Sequence, residues 1–200
     1  MSASNQMKVS VYIATSLDGF IARPDGGIDW LPGEDEDISA EPAAEPAAEP
    51  AAEPEDYGWN AFWSSVDCLI QGRKTFEKVL TFGQWPYTGK RVLVLSRDPH
   101  FAVPVELAGE AEVVRGDLGA LLAELAAAGV RRVYVDGGQT IQAFLRQGLI
   151  TDMTITTIPV LIGQGIPLFG PLEQDIPLRH ARTRAYANGL VQSEYSVEKG

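Results

Sequence analysis

Apolar positions along the chain follow two periods. Lys8–Ala14 (KVSVYIA) is apolar at most positions, the pattern of a strand buried on both faces. Short runs of the same kind recur at Cys68–Ile70, Arg91–Leu95, Glu112–Val114, Arg132–Val135 and Met153–Ile158. Between them the spacing becomes helical. Trp59, Phe62, Trp63 and Val66 share one face of a predicted helix from Tyr57 to Val66, and these aromatics read as core. Thr75–Leu80, Leu118–Ala128 and Gln139–Arg146 read as further helices, with Gly129 as a C′ residue. Repeated β–α units predict an α/β domain: a mostly parallel central sheet with flanking helices. Near the end, Arg182–Tyr186 and Val191–Val197 flank Ala187-Asn188-Gly189-Leu190. The Asn-Gly pair predicts a type I′ turn, so an antiparallel hairpin completes the sheet.

One stretch breaks the pattern. Residues 40–55 read AEPAAEPAAEPAAEPE, a Glu-Pro-Ala-Ala repeat that cannot build a core and whose prolines interrupt a helix. We read residues 33–55 as a low-complexity insertion in a single domain of residues 1–200, a flexible and partly polyproline-like loop. The simplest reading gives it no function; a solubilising or partner-docking arm is the alternative. The segment also explains the charge. The chain carries a net charge of −11, but residues 34–56 hold ten acids and no Lys or Arg, and the remainder has 17 acids against 16 bases. The fold is therefore near neutral, without the basic face that nucleic-acid binding needs.

Other classes drop out on composition. No apolar run approaches the roughly 18 residues of a membrane span, and the start, Met1-Ser2-Ala3-Ser4-Asn5-Gln6, lacks a signal pattern, so a cytoplasmic protein is expected. Cys68 is the single cysteine and sits in an apolar run; His100 and His180 have no partner at metal-ligand spacing. No metal site is expected.

Chemistry concentrates where strands end in glycine. Gly72-Arg73-Lys74-Thr75 closes one strand and opens a helix; Asp136-Gly137-Gly138-Gln139-Thr140 does the same at another. Glycine lets a ligand approach the backbone, and a helix start offers free N–H groups to phosphate. Two such turns in one domain suggest a dinucleotide held at the carboxyl ends of a sheet, although neither matches the GxGxxG or Walker pattern.

The motifs together resemble a family. Ala14-Thr15-Ser16-Leu17-Asp18-Gly19-Phe20-Ile21-Ala22 is similar to its S-L-D-G-x-I-A stretch, and Gly72–Glu77 to its G-R-x-T-[FY]-E; Gly137-Gly138 and Pro159–Phe169 complete the set. The chain, apart from its head and the insertion, resembles the bacterial dihydrofolate-reductase-like proteins related to the reductase domain of riboflavin biosynthesis. The resemblance implies a dihydrofolate-reductase-like α/β fold, NADPH as cofactor, a small-molecule substrate and a homodimer. It places Ala14 and the loop Leu17, Gly19 and Phe20 against the nicotinamide, with Asp18 shaping that loop. It gives Gly72, Arg73, Lys74 and Thr75 to the pyrophosphate and adjacent phosphate, and Ser96-Arg97 to the adenosine 2′-phosphate. Gly137 and Gly138, joined by a cis linkage, would let the backbone reach the cofactor, and Gln139, Thr140 and Ile141 would continue that wall. Read alone, Arg73, Lys74 and Arg97 fit solvated surface charges equally well.

A hydride acceptor also needs a proton. True dihydrofolate reductases take it from a carboxylate on the first helix, sixteen residues before the motif glycine, and that position here is Asp56. Asp56 could equally cap that helix, and Asp136 the helix after it. The chain shows no basic cluster for a substrate phosphate and no zinc deaminase half, both of which weigh against a riboflavin role. The leading function is an NADPH-dependent reductase of a small heterocyclic or carbonyl substrate, possible forms being a pyrimidine or pterin-like compound as in 5-amino-6-(5-phosphoribosylamino)uracil reductase. The alternatives are a catalytically silent nucleotide-binding or scaffold protein and a true dihydrofolate reductase.

Overall fold

Strand β1 (Lys8–Ser16) lies inside the sheet, paired in parallel with a strand on each side. The computed structural model describes residues 7–32 and 55–198, so all of the expected insertion except Glu55 lies outside the described residues. After β1 come β2 (Phe20–Ala22), α1 (Trp59–Ser65), β3 (Cys68–Gly72), α2 (Arg73–Leu80), β4 (Arg91–Leu95), a 3₁₀ turn at Val105–Leu107 and β5 (Ala111–Val114). Then follow α3 (Leu118–Ala127), β6 (Arg132–Asp136), α4 (Gly138–Arg146), β7 (Asp152–Ile158), β8 (Ile166–Pro167), β9 (Leu178–Ala185) and β10 (Val191–Val197).

Eight strands form one sheet in the order β5-β4-β3-β6-β1-β7-β10-β9. From β5 to β7 every pairing is parallel; β10 runs antiparallel to β7 and to β9. This is the expected α/β architecture with its antiparallel end. β2 and β8, too short to stand out in the sequence, pair separately.

Strand alternation sorts the core into two layers. Val9, Val11, Cys68, Ile70, Leu93, Val133 and Val135 meet α3 and α4 through Leu121, Leu125, Ile141 and Phe144. Leu69, Val92, Val94 and Tyr134 meet α1 and α2 through Phe62, Val66 and Phe76. Cys68 belongs to the first layer, and burial pushes its thiol up to about 12. The division follows from chain direction. The connections through α1 and α2 run toward β5, those through α3 and α4 toward β7, and right-handed crossovers in opposite directions put helices on opposite faces.

The hairpin differs from expectation. A type I′ turn needs positive φ at both central residues, but Asn188 is not among the positive-φ residues; Gly189 alone is, at +84°. Gly189 N–H donates to Tyr186 at 3.0 Å and Tyr186 N–H to Leu190 at 2.9 Å, the longer loop that ends in a glycine bulge. Asn188 is occupied elsewhere: its Nδ2 donates to the Tyr57 hydroxyl at 2.7 Å. Among the described residues no helix is long and apolar enough to cross a membrane, and no group of His, Cys, Asp or Glu could hold a metal ion.

Candidate functional site

Neighbouring strands β3 and β6 end side by side, and the helices that follow them leave for opposite faces of the sheet. Such a point, where successive connections diverge, opens a crevice at the carboxyl edge. α2 starts at Gly72 and α4 at Gly137, and neither has a side-chain cap. Helices away from this point are treated differently. Asp117 accepts from Ala120 N–H at 2.8 Å to cap α3, and Asp56 accepts from Gly58 and Asn60 at the start of α1. The first-turn N–H groups of α2 and α4 are thus left without a side-chain acceptor, and together they favour an anion.

The two helix starts interlock. A β-carbon on Gly72 would stand 2.8 Å from Thr140 Oγ1, and one on Gly137 would run into Thr75 Oγ1. Each strand-end glycine therefore faces the threonine in the first turn of the other helix. Gly137 has φ of +91°, which suits glycine alone. Gly138 is tight for a different reason: its β-carbon would meet the Pro167 carbonyl at 3.0 Å and Ile21 at 3.1 Å, so its bareness seats β2 and β8 against α4. The cis linkage expected between Gly137 and Gly138 is absent. Every described peptide bond is trans, and the positive φ of Gly137 makes the turn.

Beside this crevice the end of β1 forms a clamped loop. Gly19 N–H donates to Ser16 at 2.9 Å, Phe20 N–H to Ser16 Oγ at 3.0 Å, and Leu17 N–H to Val160 at 2.8 Å. Asp18 accepts from Ser16 Oγ and from Gly163 N–H at 2.7 Å, which ties the loop to residues 160–163. Ser16 and these backbone donors hold its carboxyl below the usual range, so Asp18 shapes the loop as expected. Ala14 is half-buried and Leu17 stands 64% exposed, an apolar surface at the sheet edge.

At the other end of the crevice, the expected phosphate ligands divide. Arg73 pairs with Asp98 at 3.0 Å and with Glu77 at 3.7 Å, and lies over the Phe101 ring. Arg115 donates to the carbonyls of Asp98 and Phe101 at 2.8 and 3.0 Å. Both brace the turn after β4. Ser96 is buried there, with Oγ accepting Asp98 N–H at 3.2 Å. Arg97 and Lys74 are exposed and make no ion pair among the described residues, leaving them as the available cations. On α4, Gln139 is exposed and Thr140 is buried with its hydroxyl against Gly72. Ile141 is fully buried in the first core layer, so its side chain is turned away from any ligand there.

Two carboxylates stand near the second face. Asp56 is exposed; the N–H groups of Gly58 at 2.9 Å and Asn60 at 3.1 Å hold it below the usual carboxylate range. The next residue, Tyr57, has a φ of +54° and offers its carbonyl to the Tyr12 hydroxyl and to Gln192 Nε2. Asp136 closes β6 on the face of Tyr134. Burial raises its carboxyl above the usual range, opposed by Gly137 N–H at 2.8 Å, and the tyrosines Tyr87 and Tyr134 lie near it. Asp136, which the sequence offers as a helix cap, accepts from Gly137 N–H at the start of α4, and its place directly before the glycine pair is the sequence signal for it.

The comparisons with known proteins agree with this geometry. A family model described as the RibD C-terminal domain matches residues 7–192. "Uncharacterized protein YwjB" of Bacillus subtilis (strain 168) is 33% identical over 188 residues, covering 92% of this chain and 95% of the relative. The crystal structure of a "Putative riboflavin biosynthesis protein" from Shewanella sp. PV-4 superposes with a TM-score of 0.82 at 36% identity, over 96% of this chain and all of the other. Dihydrofolate reductase from Enterococcus faecalis, complexed with NADP(H) and RAB-propyl, superposes with a TM-score of 0.60 at 14% identity, covering 96% of this chain and 97% of that one. The fold is dihydrofolate-reductase-like.

Proposed function

This chain belongs to the RibD C-terminal domain family, and we propose that it is an NADPH-dependent reductase of a small heterocyclic or carbonyl substrate, a pyrimidine or pterin-like ring being the best fit. One observation carries the reading: two uncapped, glycine-led helix starts meet at the divergence of β3 and β6, packed so closely that a β-carbon on either glycine would collide with the threonine in the first turn of the other helix. That arrangement suits a dinucleotide's phosphates. NADPH supplies the hydride when bound. The N–H groups and hydroxyls around Thr75 and Thr140 would hold the pyrophosphate. Arg97 and Lys74 would meet the 2′-phosphate, and Ala14 with the clamped Leu17–Phe20 loop would cover the nicotinamide from water.

The proton has two candidate sources. Asp56 is held as the anion by two N–H groups, which suits a helix start. Asp136 is raised by burial, so it keeps a proton to higher pH, and it sits beside Gly137. We favour Asp136 as the donor. The substrate side is then the sheet face that carries Tyr134 and Asp136, where Tyr12, Trp59 and Tyr134 pack edge-on beneath it. A homodimer, as the resemblance implies, is part of the same proposal.

The test is direct. NADPH should raise the melting temperature in a concentration-dependent way. NADPH oxidation should then be followed with dihydrofolate and with 5-amino-6-(5-phosphoribosylamino)uracil. Absence of any NADPH-dependent stabilisation would remove the reductase reading.

A further inference from the structure

Gln71 is fully buried, yet among the described residues neither its amide oxygen nor its amide nitrogen has a hydrogen-bond partner. Burying an unpaired amide is costly, and an apolar side chain of the same length would fill that place without the cost. The residue's position suggests why the amide is there. In the parallel pairing of β3 with β6, Gln71 is matched to Asp136. Each is the last strand residue before a crevice glycine. Alternation places Gln71 on the face of Leu69 and Asp136 on the face of Tyr134, which is one face, the aromatic one. A second buried donor on that face also lacks a partner: the indole N–H of Trp85, whose ring packs edge-on against Phe76 and Tyr87. Unpaired hydrogen-bonding capacity thus lies on the sheet face that carries Asp136, the carboxyl group best suited to donate a proton.

We propose that Gln71 is a specificity-determining residue whose amide reads a ring –NH–C(=O)– edge of the substrate, next to Asp136. The inference rests on the reductase reading and deepens it. A glutamine amide offers one acceptor and two donors side by side, the complement of a cyclic amide. A simple ketone would leave the amide oxygen unpaired, and a carboxylate would repel it. A site built to hydrogen-bond its ligand discriminates strongly against one that lacks the matching group. The substrates selected are therefore cyclic amides of the uracil or pterin type rather than isolated carbonyl compounds.

The test uses 5,6-diaminouracil as probe, titrated into wild-type protein and into Gln71→Met and Gln71→Leu, each with and without NADPH. Wild type should bind it, and both variants should bind it about ten- to a hundredfold more weakly. The variants should keep wild-type NADPH affinity and an unligated melting temperature equal to or above wild type, since two desolvated groups are removed. Unchanged probe affinity would overturn the proposal and leave Gln71 an internal orphan. A marked fall in melting temperature would overturn it too, because the amide would then be holding the fold. Failure of wild type to bind the probe while it binds NADPH sinks the Gln71 proposal alone. Failure to bind NADPH sinks the reductase reading, and the cofactor-free titrations still judge Gln71.

Discussion

A side chain on Gly137 would have to occupy the place of the Thr75 hydroxyl, although the two residues belong to different β–α units. Gly72 and Thr140 repeat the relationship in the other direction. The crevice is therefore a joint between two helix starts, and its parts are not independent. Gly137→Ala adds strain at a φ of +91° and displaces Thr75. It is expected to lower folding stability by about 1–3 kcal/mol and to weaken NADPH. Denaturant unfolding and NADPH titration read the two effects. Gly138→Ala should lower stability as well as NADPH affinity, because its β-carbon meets the Pro167 carbonyl and Ile21.

Arg97 should set the preference for NADPH over NADH. It is exposed and makes no ion pair among the described residues, whereas Arg73 is held by Asp98 and Glu77. A charge-assisted contact to the 2′-phosphate is worth about 1.5–3 kcal/mol. Arg97→Ala should then lower NADPH affinity roughly ten- to a hundredfold and leave NADH nearly unchanged. Titrations at fixed ionic strength check this. Equal loss of both cofactors would assign Arg97 to the shared scaffold.

The two carboxylates predict opposite pH behaviour. Asp136 is raised in the folded state, so its favourable contribution to stability is complete below the ordinary carboxylate pKa and is lost as pH rises through the raised value. Turnover that needs its proton should fall over the same rise. Asp136→Asn should reduce turnover by about two orders of magnitude and remove that limb of the pH profile. Asp56 is lowered, so its contribution is present above the ordinary pKa and lost as pH falls through the lowered one. Asp56→Asn should therefore lower stability at neutral pH, bring the variant level with wild type in acid, and leave the pH dependence of turnover in place. The reverse outcome would move the proton donor to Asp56.

Replacing residues 38–53 by a short Gly/Ser link should leave the melting temperature and NADPH affinity nearly unchanged. The repeat has no side chains able to build a core, and loop closure depends weakly on length. Glu55 pairs with Arg184 at 2.9 Å, but both are well exposed and such pairs contribute little. A large drop in either quantity would show that the segment packs on the domain.

Apolar runs located β1 and β3 to β7, and helical spacing located the four helices, because those elements bury what the pattern displays. Their ends were less legible. β3 extends to Gly72 and β6 to Asp136, since pairing with a neighbour continues where apolarity stops. The type of turn at Asn188 depended on a hydroxyl, that of Tyr57, which lies far away in the chain. The glycine ends, Thr75 and Asp18 stand out in their motifs, but what they touch is distant: Gly137 meets Thr75, Gly72 meets Thr140, and Asp18 meets Gly163. Gln71 matters through its register with Asp136 and its unpartnered amide, which the residues beside it do not show, and Asp136 had only its place before the glycine pair to mark it.

Strand β9 is exposed at all eight positions and among the described residues pairs only with β10, so it stands at the edge of the described sheet. Such an edge can recruit an extended segment from any neighbour. Here it carries Arg179, His180, Arg182 and Arg184, and only two of its arginines are paired, Arg182 with Glu194 and Arg184 with Glu55. With two of its three arginines paired, the edge keeps a net charge of about one, too little to hold a second copy away at physiological salt. The strand that buries least is therefore the place where an extended segment from a neighbour would add to the sheet, a property separate from stability and from chemistry.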